Sequence, residues 1–97
     1  MLHHILVKWN DNVSDKAEML TKAKEAFAEA TAIPGIISCE LIPSCSDRAN
    51  RYDLMIRMRM TKEALPVYDQ SLMHEAWKKN FSAFMAQKAI FDCEEEK

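Results

Sequence analysis

The sequence predicts an α+β sandwich in the order β-α-β-β-α-β, with both helices on one face of a single sheet. Three observations carry this reading. Strand-like segments stand near both ends, His3 to Trp9 and Ala89 to Cys93. Two apolar stripes at helical spacing lie between them, separated by a pair of further strands. The length, 97 residues, suits one domain with one core, spanning 1–97.

Leu2 to Trp9 has the β-branched and aromatic content of a strand. Alternation puts His3, Ile5, Val7 and Trp9 on one face and Leu2, His4, Leu6 and Lys8 on the other. Asp11-Asn12 closes the strand. Ser14 is the expected N-cap of the first helix, with Asp15 and Glu18 where the helix dipole favours negative charge. Leu20, Ala23, Phe27 and Ala30 form its apolar stripe, and Pro34-Gly35 is expected to stop it. Ile36 to Ile42 reads as the second strand, and the polar, aperiodic Pro43 to Asn50 as a loop. Arg51 to Met60 is the clearest strand. Tyr52, Leu54, Ile56, Met58 and Met60 are apolar, and Arg51, Asp53, Arg57 and Arg59 alternate with them, with Met55 breaking the polar set. Thr61 is the expected cap of a short helix that Ser71 restarts, and Met73, Trp77, Phe81 and Phe84 give its apolar stripe. Lys88 to Cys93 is the closing strand. This order is the ferredoxin-like split βαβ unit.

That topology turns the apolar row of the third strand toward the helices. The other face then shows Asp53, Met55, Arg57, Arg59, Leu6, His4 and Glu40. Such a face is too apolar to be simply wet and too charged for a single-chain core. It calls for a partner sheet, and a homodimer packed face to face is the expected solution, with Arg57 and Arg59 paired to Asp53 or Glu40.

Composition excludes several function classes. Apolar residues make up 48 % and charged residues 29 % of the chain, as in ordinary globular proteins. Net charge is −2 and there is no basic block, so no nucleic-acid partner is expected. No apolar run reaches the roughly 18 residues of a membrane span. No signal-peptide pattern opens the chain, so a cytoplasmic setting is expected. Cys39, Cys45 and Cys93 are odd in number and lack CxxC spacing, which points to reduced thiols rather than disulfides or zinc. The acidic run Glu94-Glu95-Glu96 reads as a solvated tail. The seven methionines read mostly as core filling.

Five segments in order, HHILVKW, IPGI, RYDLMIRMRM, ALPVYDQSLMHEAW and AIFDC, together resemble the stress-responsive A/B barrel (Dabb) family. These are small dimeric ferredoxin-like barrels. Many members have no assigned reaction. Some plant members are polyketide cyclases that perform a cofactor-free aldol condensation with a Tyr and the second His of His-Pro-x-His. The resemblance places Tyr68 and His74 at those positions, and His3 at the pocket-lining His of the opening strand. Ser71, Leu72 and Leu54 stand where the cyclases keep His, Pro and a further pocket His.

The residue types fit that chemistry. A neutral imidazole at His74 could take a proton α to a carbonyl, since the unperturbed pKa of about 6.5 lies near working pH. Tyr68 could donate to the enolate oxygen. The competing reading makes His74 a capping or packing residue, Tyr68 a core aromatic and His3 a hydrogen-bonded core histidine. His4 points to the presumed partner. No metal site is expected, since Glu75 and Asp69 stand at no recognised spacing from His3 and His74. Two functions stay open. One is a binding protein with a small, largely apolar pocket for a hydrophobic or aromatic molecule. The other is a cofactor-independent cyclase, isomerase or monooxygenase using Tyr68, His74 and His3. The enzyme reading requires Tyr68 and His74 to open on one unfilled pocket.

Overall fold

The computed structural model describes residues 1–95. Four strands, β1 (Leu2–Trp9), β2 (Ile36–Pro43), β3 (Leu54–Met60) and β4 (Met85–Cys93), form one antiparallel sheet in the order β2-β3-β1-β4. Helices α1 (Lys16–Ala26), α2 (Ala64–Asp69) and α3 (Leu72–Phe81) cover one face. Strand alternation decides which side chains they bury. Ile5, Val7 and Trp9 of β1 and Leu54, Ile56, Met58 and Met60 of β3 all point under the helices and are almost inaccessible. Met19, Ala23, Phe27, Tyr68, Trp77 and Phe81 pack down on them. Buried area of this kind is the main stabilising term of the domain.

Several boundaries differ from expectation. Asp15, rather than Ser14, caps α1. Its Oδ1 accepts from the backbone N–H groups of Ala17 and Glu18 at 3.0 and 3.1 Å. The helix ends at Ala26, well before Pro34-Gly35, and a 3-10 turn at Ala30–Ala32 keeps Ala30 in the core. Thr61 contributes its carbonyl, not a side-chain cap, to the start of α2. The closing strand begins at Met85 rather than Lys88. Gly35 has φ +89°, and a Cβ there would meet Ala64 Cβ and Thr61 Oγ1 at 2.7 Å. Only glycine lets the start of β2 lie so close to the entry of α2.

β3 begins at Leu54, not Arg51. The difference moves Asp53 off the open face. Its N–H still bonds to Val7 O at 2.8 Å, but its carboxylate accepts from the backbone N–H of Trp9 at 2.8 Å and from Lys16 Nζ at 2.9 Å. Burial pushes this carboxyl up. The Lys16 and Trp9 hydrogen bonds and the Lys16 and Lys8 charges outweigh burial and hold it below the usual range. Asp53 therefore ties α1 to the sheet.

The open face consists of rows read from the register. Ile42, Met55, Leu6 and Ala89 form one row; Glu40, Arg57, His4 and Phe91 the next; Arg59, Leu2 and Cys93 a third. Arg57 lies 3.4 Å from Glu40. Arg59 pairs instead with Glu95 at 2.6 Å, and Lys62 with Glu94 at 2.5 Å. The acidic run is thus partly tied back by ion pairs at residues 94 and 95, while Glu96 lies outside the described residues. Met19, Met58 and Met60 are core residues as expected, and Met55 lies on the open face.

Candidate functional site

The junction of α2 and α3 builds one wall of a cavity. Tyr68 sits in the last turn of α2 and is buried to 1 % exposure. Ser71 caps α3 by accepting from the N–H of His74 at 3.1 Å and donates its hydroxyl to Tyr68 O at 2.7 Å. These two hydrogen bonds, one to each helix, tie the helices together beside Tyr68 and His74, whose ring centroids lie 4.7 Å apart. The serine found where the cyclases have histidine is thus a joint, not a pocket group. Leu72, at the proline position, is 83 % exposed and touches no site.

The opposite wall comes from the sheet. His3 is the polar member of the buried row of β1, and its ring meets Tyr68 edge-on at 5.7 Å between centroids. The antiparallel register sets His3 opposite Asp92. His3 Nδ1 and Asp92 Oδ1 lie 2.5 Å apart. A carboxylate oxygen accepts, so Nδ1 carries the proton, and in the neutral ring Nε2 carries the lone pair. His74 follows the same logic. Its Nδ1–H donates to Asp69 O at 3.0 Å, which leaves Nε2 as the acceptor.

His3, Tyr68 and His74 line one cavity of ≈ 300 Å³. Trp77 forms part of its wall without filling it, and Met58 is not among its lining residues. The exposed lining is more apolar than polar, as expected, with charged groups among it. Ile5, Leu65, Trp77 and Ile90 are apolar, but Asp69, Lys78, Lys88 and Asp92 give the lining both signs of charge. The polarity comes from residues that strand and helix periodicity leave at the rim. Leu54 lies elsewhere. It lines a second cavity of ≈ 280 Å³ between α1 and the loop before β3, with Trp9, Lys16, Leu20 and Asp53.

The Tyr68 hydroxyl is the unusual group. It is buried and has no hydrogen-bond partner among the described residues. Buried hydroxyls are normally paired, so an unpartnered one on a residue that lines a cavity calls for an explanation. Burial, with smaller contributions from Asp69 and Cys39, pushes its ionisation well above the ordinary tyrosine value and keeps it protonated. Asp92 is the site residue that sequence reasoning missed. The available signal was alternation in two strands of one sheet, which puts His3 and Asp92 on the same face. No group of three or more His, Cys, Asp or Glu residues is placed to hold a metal ion among the described residues.

The fold is found in solved structures. A dimeric ferredoxin-like protein of unknown function from Bacteroides fragilis superposes with TM-score 0.80 at 21 % identity, covering 96 % of this chain and 93 % of its own. A second dimeric ferredoxin-like protein of unknown function, from Thermobifida fusca, gives 0.75 at 21 % identity, covering 93 % of this chain and 85 % of its own. A Dabb family protein with a ferredoxin-like fold, from Mesorhizobium loti, gives 0.73 at 14 % identity over 99 % of this chain and 96 % of its own. The chain shares its fold with a Dabb protein. No family model matches the sequence, and no curated protein matches it.

Proposed function

We propose that this chain is a homodimeric binding protein whose cavity takes a small hydrophobic or aromatic molecule bearing a hydrogen-bonding oxygen. The buried, unpartnered Tyr68 hydroxyl carries this reading. A ligand oxygen there would satisfy a donor that otherwise remains desolvated, and the aromatic and aliphatic wall of Ile5, Leu65 and Trp77 would receive the rest. The homodimer is supported by the mixed open face, which no described element of its own chain covers, and by neighbours of the same fold described as dimeric. Three free thiols fit a reducing, cytoplasmic setting. Titration with resorcinol and acetophenone, followed by calorimetry, tests the site. Binding that weakens about tenfold or more in Tyr68→Phe supports it, since removing a desolvated hydrogen bond is worth about 1.5 kcal/mol. Equal affinity in that variant refutes it.

The two histidine tautomers favour a second reading, a cofactor-independent enzyme acting by proton transfer. His74 Nε2 would take a proton α to a substrate carbonyl. The C–H electron pair would move to the carbonyl oxygen, giving an enolate that the Tyr68 hydroxyl stabilises by donation. Attack of the enolate carbon on a second carbonyl of the same molecule would then close a ring, and His74 would return its proton to the new alkoxide. Asp92 would hold His3 in place beside Tyr68. The test is exchange of the α-hydrogens of acetophenone in heavy water by NMR. Acceleration by the protein that is lost in His74→Ala supports this reading, and a rate equal to the buffer's excludes it for that substrate class.

A further inference from the structure

The open sheet face carries both a projecting aromatic and a hollow. Phe91 is 60 % exposed, although it lies within a strand. Its backbone is fixed by the β1 register. Its ring leans on His4 at 6.0 Å between centroids, and His4 Nδ1–H donates to Phe91 O at 3.0 Å. The ring therefore stands up from the sheet in a held position. Leu6, Met55 and Ile42 form the adjoining apolar row on the same face, and with Tyr52 they line a hollow of ≈ 220 Å³.

We propose that Phe91 is the anchor of the homodimer and seats against Ile42 and Met55 in the hollow of the partner copy. This rests on the homodimer reading above and specifies its contact. A two-fold axis running along the strands reverses the strand order of the second sheet. It lays β4 of one copy over β2 of the other, at the edge that carries Ile42. The arrangement is isologous, so one chain must contain both knob and hole, and this chain does. Charge agrees with this occupant. Arg57 faces Glu40 and Arg59 faces Glu95 within one chain, so a second copy meets a face of mixed sign rather than a uniform field. Size agrees too. Four strands about 4.8 Å apart and about 25 Å long give a face of about 500 Å² in projection. Side-chain relief raises this toward the roughly 800 Å² per partner of a standard interface. A central aromatic in a desolvated hollow is the kind of residue that dominates such an interface.

Sedimentation equilibrium of the full chain, with circular dichroism to confirm folding, tests the contact. Wild type is expected to be dimeric at micromolar concentration. Phe91→Ala is expected to weaken dimerisation by about tenfold or more, while Leu72→Ala, an exposed apolar residue on α3, leaves it unchanged. Phe91→Ala and Ile42→Ala combined are expected to cost less than the sum of the single changes. The two residues lie on strands at opposite edges of the sheet, so non-additivity reports contact between copies. A wild-type dimer indifferent to Phe91→Ala, or strictly additive effects, overturns the anchor and leaves the dimer standing. A monomeric wild type overturns the dimer itself.

Discussion

Replacing Tyr68 by phenylalanine separates a binding group from a structural one. The side chain is 1 % exposed and its hydroxyl has no partner among the described residues. Leaving such a hydroxyl desolvated costs about 1–3 kcal/mol. Tyr68→Phe removes one buried oxygen, keeps the ring in place beside His3 and His74, and relieves that cost. The variant should therefore be more stable than wild type by about 1 kcal/mol or more, which for a domain of this size is a rise in Tm of about 4–8 °C. Calorimetry at fixed protein concentration, so that dimerisation does not confound the comparison, reads this directly. The sign has a second readout. The folded protein holds the Tyr68 proton more tightly than the unfolded chain does. The stability linked to it is full below the ordinary tyrosine value of about 10 and is lost as pH rises above it. Wild type should lose more stability than Tyr68→Phe in that range. A phenylalanine variant destabilised by about 1 kcal/mol or more would refute the reasoning, since the hydroxyl would then have a structural partner.

Four further outcomes are expected. Gly35→Ala forces a side chain into the left-handed region and against Ala64 Cβ and Thr61 Oγ1 at 2.7 Å, and urea unfolding should show a loss of about 2–4 kcal/mol. Asp53→Ala orphans the Trp9 N–H as well as Lys16 and should lose about 1–3 kcal/mol in the same assay. Lys16→Met, at a side chain 57 % exposed, should lose less than about 1 kcal/mol. Asp92→Leu leaves the buried His3 Nδ1–H without its acceptor. It should cost about 1–3 kcal/mol and shift the Nδ1 and Nε2 resonances of His3 in 15N NMR, while those of His74 stay in place.

The strands were legible because period-two alternation along Leu54 to Met60 is broken only at Met55, and because Leu2 to Trp9 has strand-forming content. The same rule misplaced Asp53. Alternation assumes that a strand continues, and the backbone leaves the strand one residue earlier to bring a carboxylate to Lys16 and the Trp9 N–H. The early end of α1 was hidden for a related reason. Ala30 keeps helical spacing with Phe27 but is buried by a 3-10 turn, and spacing alone does not distinguish the two. His3, Tyr68 and His74 were chosen by chemical type and by resemblance, and they do share a cavity. Its charged rim was not legible, since Lys78, Lys88 and Asp92 come from two elements that meet only in the folded chain.

The pairing of β1 with β4 has a consequence for the order of folding. His3 and Asp92 are 89 residues apart in sequence, yet they occupy neighbouring strands of one sheet. Closing so long a loop is among the least local steps the chain must take, and such contacts slow a folding reaction. The helices and the β2-β3 pair can assemble from nearer neighbours. The wall that holds Asp92 cannot form until β4 docks on β1. The pocket is thus a product of the least local pairing in the sheet, and it vanishes first whenever that edge strand peels away.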